Sequence, residues 1–163
     1  MSKKLLVVFG LVLSLLLSAC TINNPISDKQ KKSTVESSVQ SCAEQFFNAF
    51  CTGDVSKASQ LCIHEKRMLD KIDKDRYISQ TSHMLTGSAE MYSQTTGLKT
   101  GYSSLISKPR KVDDNHFQID WTFGLGGEKV TIPNITVVRS DGKWLIDFES
   151  FAIPFTKFVS GGY

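Results

Sequence analysis

The sequence lacks the motifs that mark common catalytic and metal sites. Its four cysteines and three histidines form no Cys-x-x-Cys or His-x-x-x-His pair, so the spacing gives no zinc site. No nucleophile elbow is present, and Gly124, Gly126 and Gly127 are too closely spaced to form a phosphate-binding loop. We therefore expect neither a metal nor an organic cofactor.

The chain also has little surplus charge. It contains 19 basic and 16 acidic residues, a formal net charge of +3. Residues 1–19 include Lys3 and Lys4 but no acid, so without them the charge falls by two, from +3 to +1. Because no basic stripe is interleaved with aromatic residues, nucleic acid is not an expected partner.

One long apolar run covers residues 5–19, directly after Lys3 and Lys4. Its 15 residues would rise about 22 Å as a helix, short of the roughly 30 Å hydrocarbon core, which disfavours a permanent membrane span. A basic start and a short apolar region that ends in small residues are typical of a secretory signal. Residues 1–19 are therefore predicted to be a signal peptide.

Leu17, Ser18, Ala19 and Cys20 resemble the lipobox of bacterial lipoproteins. The resemblance implies that the Cys20 thiol receives diacylglycerol, that the chain is cut before Cys20, and that the new amino terminus is acylated. Several acyl chains hold a protein firmly to a membrane. Thr21 stands where an aspartate would retain an enteric lipoprotein in the inner membrane, which favours the outer membrane, facing the periplasm. The alternative is an ordinary signal peptide followed by a chance cysteine.

The composition changes after Cys20. Residues 20–36 are rich in Ser, Asn and Lys and contain few large apolar residues, which predicts a flexible tether. Residues 37–163 have the length of one ordinary domain. We therefore divide the chain into a signal peptide, a tether and a single folded domain.

The first half of this domain has the periodicity of helices. Apolar residues recur at spacings of three and four over 39–50 and 55–62, and Gly53 and Asp54 supply a stop and a cap between the two runs. This pattern predicts a helical hairpin over 38–63.

A third helix is predicted over 73–87, where Gly87 supplies a stop. Its predicted buried face contains Tyr77, Thr81, Met84 and Leu85.

The second half of the domain changes to a period of two. Over 116–125 apolar residues alternate with polar ones, which predicts a strand with one apolar and one polar face. Turn signals divide the region into strands near 99–111, 116–125, 128–140 and 143–153. Short turns imply an antiparallel meander, and helices followed by such a sheet give an α+β fold in which helices cover one sheet face.

The order of these elements, the hairpin FFNAFCTGDVSKASQL and the closing VVRSDGKWLIDFESF resemble the nuclear transport factor two-like, or cystatin-like, superfamily over most of residues 38–153. The resemblance implies a curved sheet wrapped around a long helix, which makes a cone with a cavity. A bacterial lipoprotein that carries this domain is similar to the lumazine-binding-like families, whose function is unknown.

Enzymes of this superfamily place an Asp, a Tyr or a His–Asp pair inside the cone as general acid and base. The matching candidates are Asp120, His116, Tyr77, His83 and Tyr92. His116 and Asp120 lie about 13 Å apart by strand rise, too far for a direct dyad, and Tyr77 also fits an apolar helix face. A small cavity enzyme of the isomerase or hydratase type, using Asp120 or Tyr77, is therefore our second hypothesis.

Aromatic residues are concentrated near the carboxyl end. They would line the cavity mouth, form an exposed docking patch beyond a strand break at Pro154, or finish the last strand and cover the core. The candidates for cavity lining or docking are Tyr77, Asp120, Trp121, Phe151, Phe155 and Phe158.

Three cysteines remain in the domain, and an exported chain meets an oxidising compartment. If the first two helices run antiparallel about Thr52, Cys42 and Cys62 come level. A disulfide between them would close a loop of about 20 residues and stabilise the fold by roughly 3 kcal/mol. The alternative is that Cys42, Cys51 and Cys62 are small core residues that never pair.

We favour a non-catalytic lipoprotein whose cone-shaped domain binds an envelope protein or a small hydrophobic ligand while Cys20 holds it to the membrane. The lipobox, the missing catalytic motifs and the resemblance support this hypothesis. A periplasmic inhibitor or immunity-type protein is a third hypothesis, for which the sequence carries no distinctive mark.

Replacing Cys20 with alanine removes the thiol that the lipobox would acylate. We expect the Cys20→Ala protein to move from the membrane fraction to the soluble envelope fraction, because the anchor is lost. Cell fractionation followed by immunoblotting measures this distribution. Unchanged membrane attachment would refute the lipobox interpretation.

Overall fold

A computed structural model describes residues 28–64, 73–96, 103–125 and 128–160. By internal contacts the chain divides into Met1–Lys32 and Ser33–Tyr163, and the described part of the first unit, 28–32, is helical. The predicted signal peptide and Cys20 lie outside the described residues. Among those that are described, no helix is both long enough and apolar enough to cross a membrane.

The elements in chain order are α1 Asp28–Thr52, α2 Val55–Gln60, β1 Cys62–Ile63, α3 Lys74–Thr96, β2 Ser103–Ile106, β3 Arg110–Lys111, β4 His116–Leu125, β5 Glu128–Ser140, β6 Lys143–Asp147 and α4 Phe148–Val159. Three helices precede most of the sheet, and one helix follows it. The predicted α+β class is confirmed.

Helix α1 begins nine residues before position 37, so the second half of the predicted tether is helical. That stretch contains Lys, Gln and Glu, which are good helix formers, and no Gly or Pro. Its polar composition therefore indicates solvation and does not exclude a helix. Further along α1 the predicted apolar stripe is buried, and it consists of Val39, Cys42, Ala43, Phe46, Phe47 and Phe50.

The strands form one sheet in the order β1-β6-β5-β4-β2, and β3 also pairs with β4. All neighbours are antiparallel except β1 and β6, which run parallel. The prediction of a wholly antiparallel sheet is wrong at this edge, because Cys62 and Ile63 leave the helical hairpin and pair with Ile146 and Asp147. The predicted strand near 99–111 is represented by two separate strands, β2 and β3.

Helix α3 continues well past its predicted end at Gly87. A single glycine inside a helix costs only about 1 kcal/mol, so Gly87 does not act as a stop. The buried face also differs from the prediction. Met84 is 44% exposed, and the buried residues are Ile78, Ser82 and Leu85.

The last predicted strand, 143–153, ends halfway along, and helix α4 follows it. Phe148, Phe151 and Phe155 succeed one another at helical spacings of three and four, and all three are fully buried. Because Phe151 and Phe155 also fit an alternating pattern, the sequence favours a strand that the structure does not contain. Pro154 lies inside α4 and does not break a strand.

The alternation predicted for β4 is confirmed. Its inner face, which packs against the helices, carries the buried residues Phe117, Ile119, Trp121 and Phe123. Its outer face carries the half-buried residues His116, Gln118, Asp120 and Thr122.

Aromatic rings from three elements meet on this inner face. Phe47 of α1 stacks on Trp121 of β4 with ring centroids 4.2 Å apart, and Phe151 of α4 packs edge-on against Phe47 at 5.6 Å. Phe50 and Phe155 join the same cluster, and all five rings are fully buried. The rings occupy the space between the helices and the sheet, where the resemblance implies a cavity.

Replacing Trp121 with alanine removes the ring that touches both helices in this cluster. We expect the Trp121→Ala protein to lose about 3–5 kcal/mol of unfolding free energy, measured by urea denaturation. Leu105→Ala, at a position that is 68% exposed, is the control and should change the stability by less than about 0.5 kcal/mol. Equal losses in the two variants would contradict this account of the core.

Candidate functional site

Asp120, a predicted acid–base candidate, lies on the outer face of the sheet. Arg110 Nη1 and Nη2 donate hydrogen bonds of 2.7 and 2.8 Å to its two carboxylate oxygens. The bond from Arg110 is the main cause that lowers the pKa of Asp120 below its usual value. Asp120 is therefore an ionised partner in an ion pair, and it does not point into the interior.

A β-bulge explains why the carboxylate is held there. Ile119 pairs with Ile135 and Trp121 pairs with Ile132, so Pro133 and Asn134 together oppose the single residue Asp120. The backbone of Asn134 has a left-handed φ of 57°, and its N–H donates to Asp120 Oδ1 at 2.9 Å. The Pro-Asn pair inside an otherwise regular strand is the sequence signal for this bulge. Asp120 thus stabilises the backbone at a strand irregularity.

Tyr77, the other predicted acid–base candidate, connects α3 to α4. Its hydroxyl donates to the Ala152 carbonyl at 3.1 Å and lies 2.7 Å from Thr156 Oγ1. Burial raises the pKa of Tyr77 above its usual value. Because Tyr77 lies between two helices and Asp120 lies on the outer sheet face, the structure does not bring the two candidates together.

The histidine candidates are also separate from each other. His116 Nδ1 lies 2.8 Å from Asp113 Oδ1 in the turn before β4, and His83 Nδ1 lies 2.6 Å from the Ser79 carbonyl within α3. The side chain of Tyr92 lies outside the described residues. Neither histidine contacts Asp120 or Tyr77.

The carboxyl-terminal aromatic residues belong to the core. Phe151 and Phe155 are fully buried, and Phe158 is half-buried with its ring 5.5 Å from that of Phe123. An exposed docking patch at these positions is therefore wrong. They cover the core, as one of the three interpretations has it, but from a helix and not from a strand.

The three cysteines of the domain are free thiols. Cys42 Sγ donates to the Trp144 carbonyl at 2.9 Å, and burial raises the pKa of Cys42 and of Cys51 to about 12. Burial also raises the pKa of Cys62. Raised thiol pKa values favour the protonated form at neutral pH, and a thiol is a weaker nucleophile than a thiolate. Within the described ranges no cluster of His, Cys, Asp and Glu is suited to a metal ion.

A buried polar pair that the sequence does not predict joins the residue after β1 to the first turn of α4. His64 Nε2 lies 3.7 Å from Glu149 Oε1, and both side chains are mostly buried. The His64 ring also packs edge-on against Phe148 at 5.2 Å.

An open groove of about 910 Å³ lies between α1 and the β5–β6 hairpin. We call it the α1 groove. Helix α1 lines it with Thr34, Val35, Ser37, Ser38, Ser41, Cys42 and Gln45; α2 and the residue after it contribute Lys57, Gln60 and Leu61; the hairpin contributes Arg139, Gly142, Lys143, Trp144 and Leu145. Sequence reasoning missed this site, because its walls come from the two ends of the domain.

The tight turn between β5 and β6 shapes one wall of the α1 groove. Asp141 and Gly142 both have positive φ, 48° and 77°, which fits the two-residue hairpin turn that Asp-Gly favours. The turn places Arg139 directly opposite Trp144, and the Arg139 guanidinium carbon lies 5.9 Å from the centre of the Trp144 ring. Phe117 supports the ring from β4 at 5.3 Å. The indole is therefore held in place at the groove wall.

The α1 groove carries positive charge. Lys57, Arg139 and Lys143 are exposed, and no carboxylate lines the groove in the described part of the chain. Lysine and arginine ion pairs elsewhere in the described ranges include those of Lys74, Arg110 and Lys111. The three groove cations therefore form no ion pair with a described carboxylate.

No family model matches the chain, and no curated protein matches it in sequence. An NTF2-like protein of Campylobacter jejuni, named as a candidate transpeptidase, is 15% identical with a TM-score of 0.47, covering 66% of this chain and 95% of that chain. An NTF-2 like protein of unknown function from Shewanella oneidensis is 12% identical with a TM-score of 0.39, covering 68% of this chain and 92% of that chain. Structural similarity at these TM-scores supports no conclusion about this chain. The strand pairing and packing described above define its fold.

Replacing Asp120 with asparagine tests the role of the outer-face ion pair. Because the folded pKa lies below the unfolded one, this stabilisation is complete above the ordinary carboxyl pKa near 4 and is lost as pH falls through the lower folded value. We expect Asp120→Asn to cost about 1 kcal/mol at pH 7, an amount that allows for solvent screening of a part-exposed pair. The cost should shrink below about pH 4.

Urea denaturation from pH 7 to 2.5 measures both quantities. The control is Asp141→Asn, a substitution of the same kind in the exposed hairpin turn. A stability difference for Asp120→Asn that does not change with pH would contradict the ion-pair account.

Proposed function

We propose that the chain is a non-catalytic envelope lipoprotein, anchored through Cys20, whose folded domain binds a ligand in the α1 groove. The observation that carries this proposal is the contrast between the two places where a ligand would fit. In the described part of the chain, buried aromatic rings pack together between the helices and the sheet, whereas the α1 groove is open and holds about 910 Å³.

The filled interior supports a site outside the core. Binding pockets are concave and largely preformed, with volumes of about 300–1,000 Å³. The rings of Phe47, Trp121 and Phe155 are fully buried between the helices and the sheet, so the space that they occupy is not available to a ligand. The α1 groove meets the size requirement without any movement of the core.

The lining of the α1 groove suits a ligand with both apolar and polar parts. Val35, Leu61 and Trp144 supply half-buried apolar surface, and Ser37 and Ser41 supply hydroxyl groups. A lipid anchor on Cys20 would keep the domain beside a leaflet, where such amphiphilic molecules are concentrated.

The contacts of the acid–base candidates favour binding over catalysis. A hydratase or an isomerase needs an acid and a base within hydrogen-bond reach of the same substrate. Asp120 is paired with Arg110 on the outer sheet face, and the Tyr77 hydroxyl is bonded within the helical layer. Neither residue lines the α1 groove.

Ser38→Phe tests the proposal, because it places a bulky ring in the α1 groove from an exposed position on α1. Asn48→Phe is the matched control, since it adds the same ring at an exposed position of the same helix outside the groove. The unmodified protein and the two variants are each produced in and purified from the native organism. Native mass spectrometry then measures the small molecules that remain bound.

We expect the unmodified protein and Asn48→Phe to retain the same molecule at near-full occupancy. Ser38→Phe should lose at least about nine-tenths of it, since its binding space is filled. Equal retention in all three proteins, or no bound molecule in any, would contradict binding in the α1 groove. Urea denaturation confirms that both variants are folded.

A further inference from the structure

The cations of the α1 groove lie on three different elements. Lys57 comes from α2, Arg139 from β5 and Lys143 from β6, and all three line the groove. Grouping three positive charges without a described carboxylate partner is unfavourable, and a bound anion would relieve the repulsion. The charge pattern therefore favours an anionic ligand.

Arg139 is the best-positioned of these cations. Its guanidinium lies over the Trp144 ring, which Phe117 supports from the neighbouring strand. Contact with the ring limits the conformations of the long side chain, so less entropy is lost when a ligand binds. A guanidinium also presents paired N–H donors that match the oxygens of a phosphate or carboxylate.

The wall opposite Arg139 offers hydroxyl groups to the same ligand. Gln45 Nε2 donates to Ser41 Oγ at 3.1 Å, so the Ser41 hydroxyl hydrogen can be donated into the α1 groove. The groove is also lined by the half-buried residues Val35, Leu61 and Trp144, all of which pack against the hydrophobic core. An inorganic anion would leave this apolar surface uncovered, whereas an acyl chain would cover it.

We propose that the ligand of the α1 groove is an anionic amphiphile, an acyl chain with a phosphate-bearing head, whose phosphate binds Arg139. Lys57 and Lys143 add positive charge at the groove, and the acyl chain lies on the apolar surface of Val35, Leu61 and Trp144. This inference rests on the proposed function, and it specifies the chemical class of the ligand.

The two tryptophans of the chain make the test direct. Trp121 is fully buried in the core, whereas Trp144 is half-buried at the groove wall, so a ligand in the α1 groove changes the fluorescence of Trp144 alone. The full chain with Cys20→Ala is used, so that no acyl chain of its own is attached. In a second protein, Trp144→Phe removes the fluorescent indole at the groove wall. Loss of the fluorescence change in this protein shows that the change comes from Trp144.

The probes are lysophosphatidylglycerol, lysophosphatidylcholine of the same chain length, and glycerol phosphate, the two lipids below their micellar concentrations. We expect saturable binding of lysophosphatidylglycerol that is about tenfold or more tighter than that of the two other probes. Combined Arg139→Gln and Lys143→Gln should weaken it about tenfold or more and leave lysophosphatidylcholine unchanged. Lys129→Gln, an exposed cation outside the groove, is the matched control and should have no effect.

Equal affinity for the two lysolipids, or no response of Trp144 to either, would overturn the inference. If Ser38→Phe abolishes an equal affinity for both lipids, the proposed function stands and only the anionic class fails. Binding to phosphatidylglycerol vesicles is measured as well, to distinguish a ligand taken from a bilayer from a lipid that is free in solution. One outcome is that the protein binds vesicles but no lysolipid, and that Arg139→Gln and Lys143→Gln do not reduce the vesicle binding. This outcome would show non-specific attraction of the protein surface to the membrane and would overturn the inference.

Discussion

The stacking of Phe47 on Trp121 is the contact on which the other parts of the fold depend. It joins the longest helix to the central strands, and Phe151 of α4 packs against both rings. The indole N–H of Trp121 donates to Ser104 Oγ at 2.9 Å, so the buried polar atom also ties β4 to β2. One aromatic residue therefore connects two helices and two strands.

This packing determines where a ligand can bind. The aromatic cluster lies between α1 and the sheet. The turns of α1 that precede this cluster line the groove beside the β5–β6 hairpin. Cys42 of α1 donates to the Trp144 carbonyl of β6, and both residues line the α1 groove. The polar residues of the early turns of α1 then become a groove wall and not merely a solvated helix face.

The sequence predicts what depends on neighbouring residues. Periodicities of three to four and of two predict the α+β class, the start of α3 and the strand 116–125. It fails at α4, because Phe151 and Phe155 satisfy both periodicities, and the residues that α4 packs against, such as Tyr77 at 5.3 Å from Phe148, are distant in sequence. The role of Asp120 also depends on strand register, which brings Arg110 and Asn134 beside it. The α1 groove is harder still to predict, since Cys42 and Trp144 are 102 positions apart.

The central claim is that the core is closed and that the ligand occupies the α1 groove. A crystal structure of the protein purified from its own cells, with the co-purified molecule bound, tests this most directly. The account predicts ligand density against Trp144 and Arg139, with the rings of Phe47 and Trp121 still stacked. Density between the helices and the sheet, with those rings pushed apart, would contradict it.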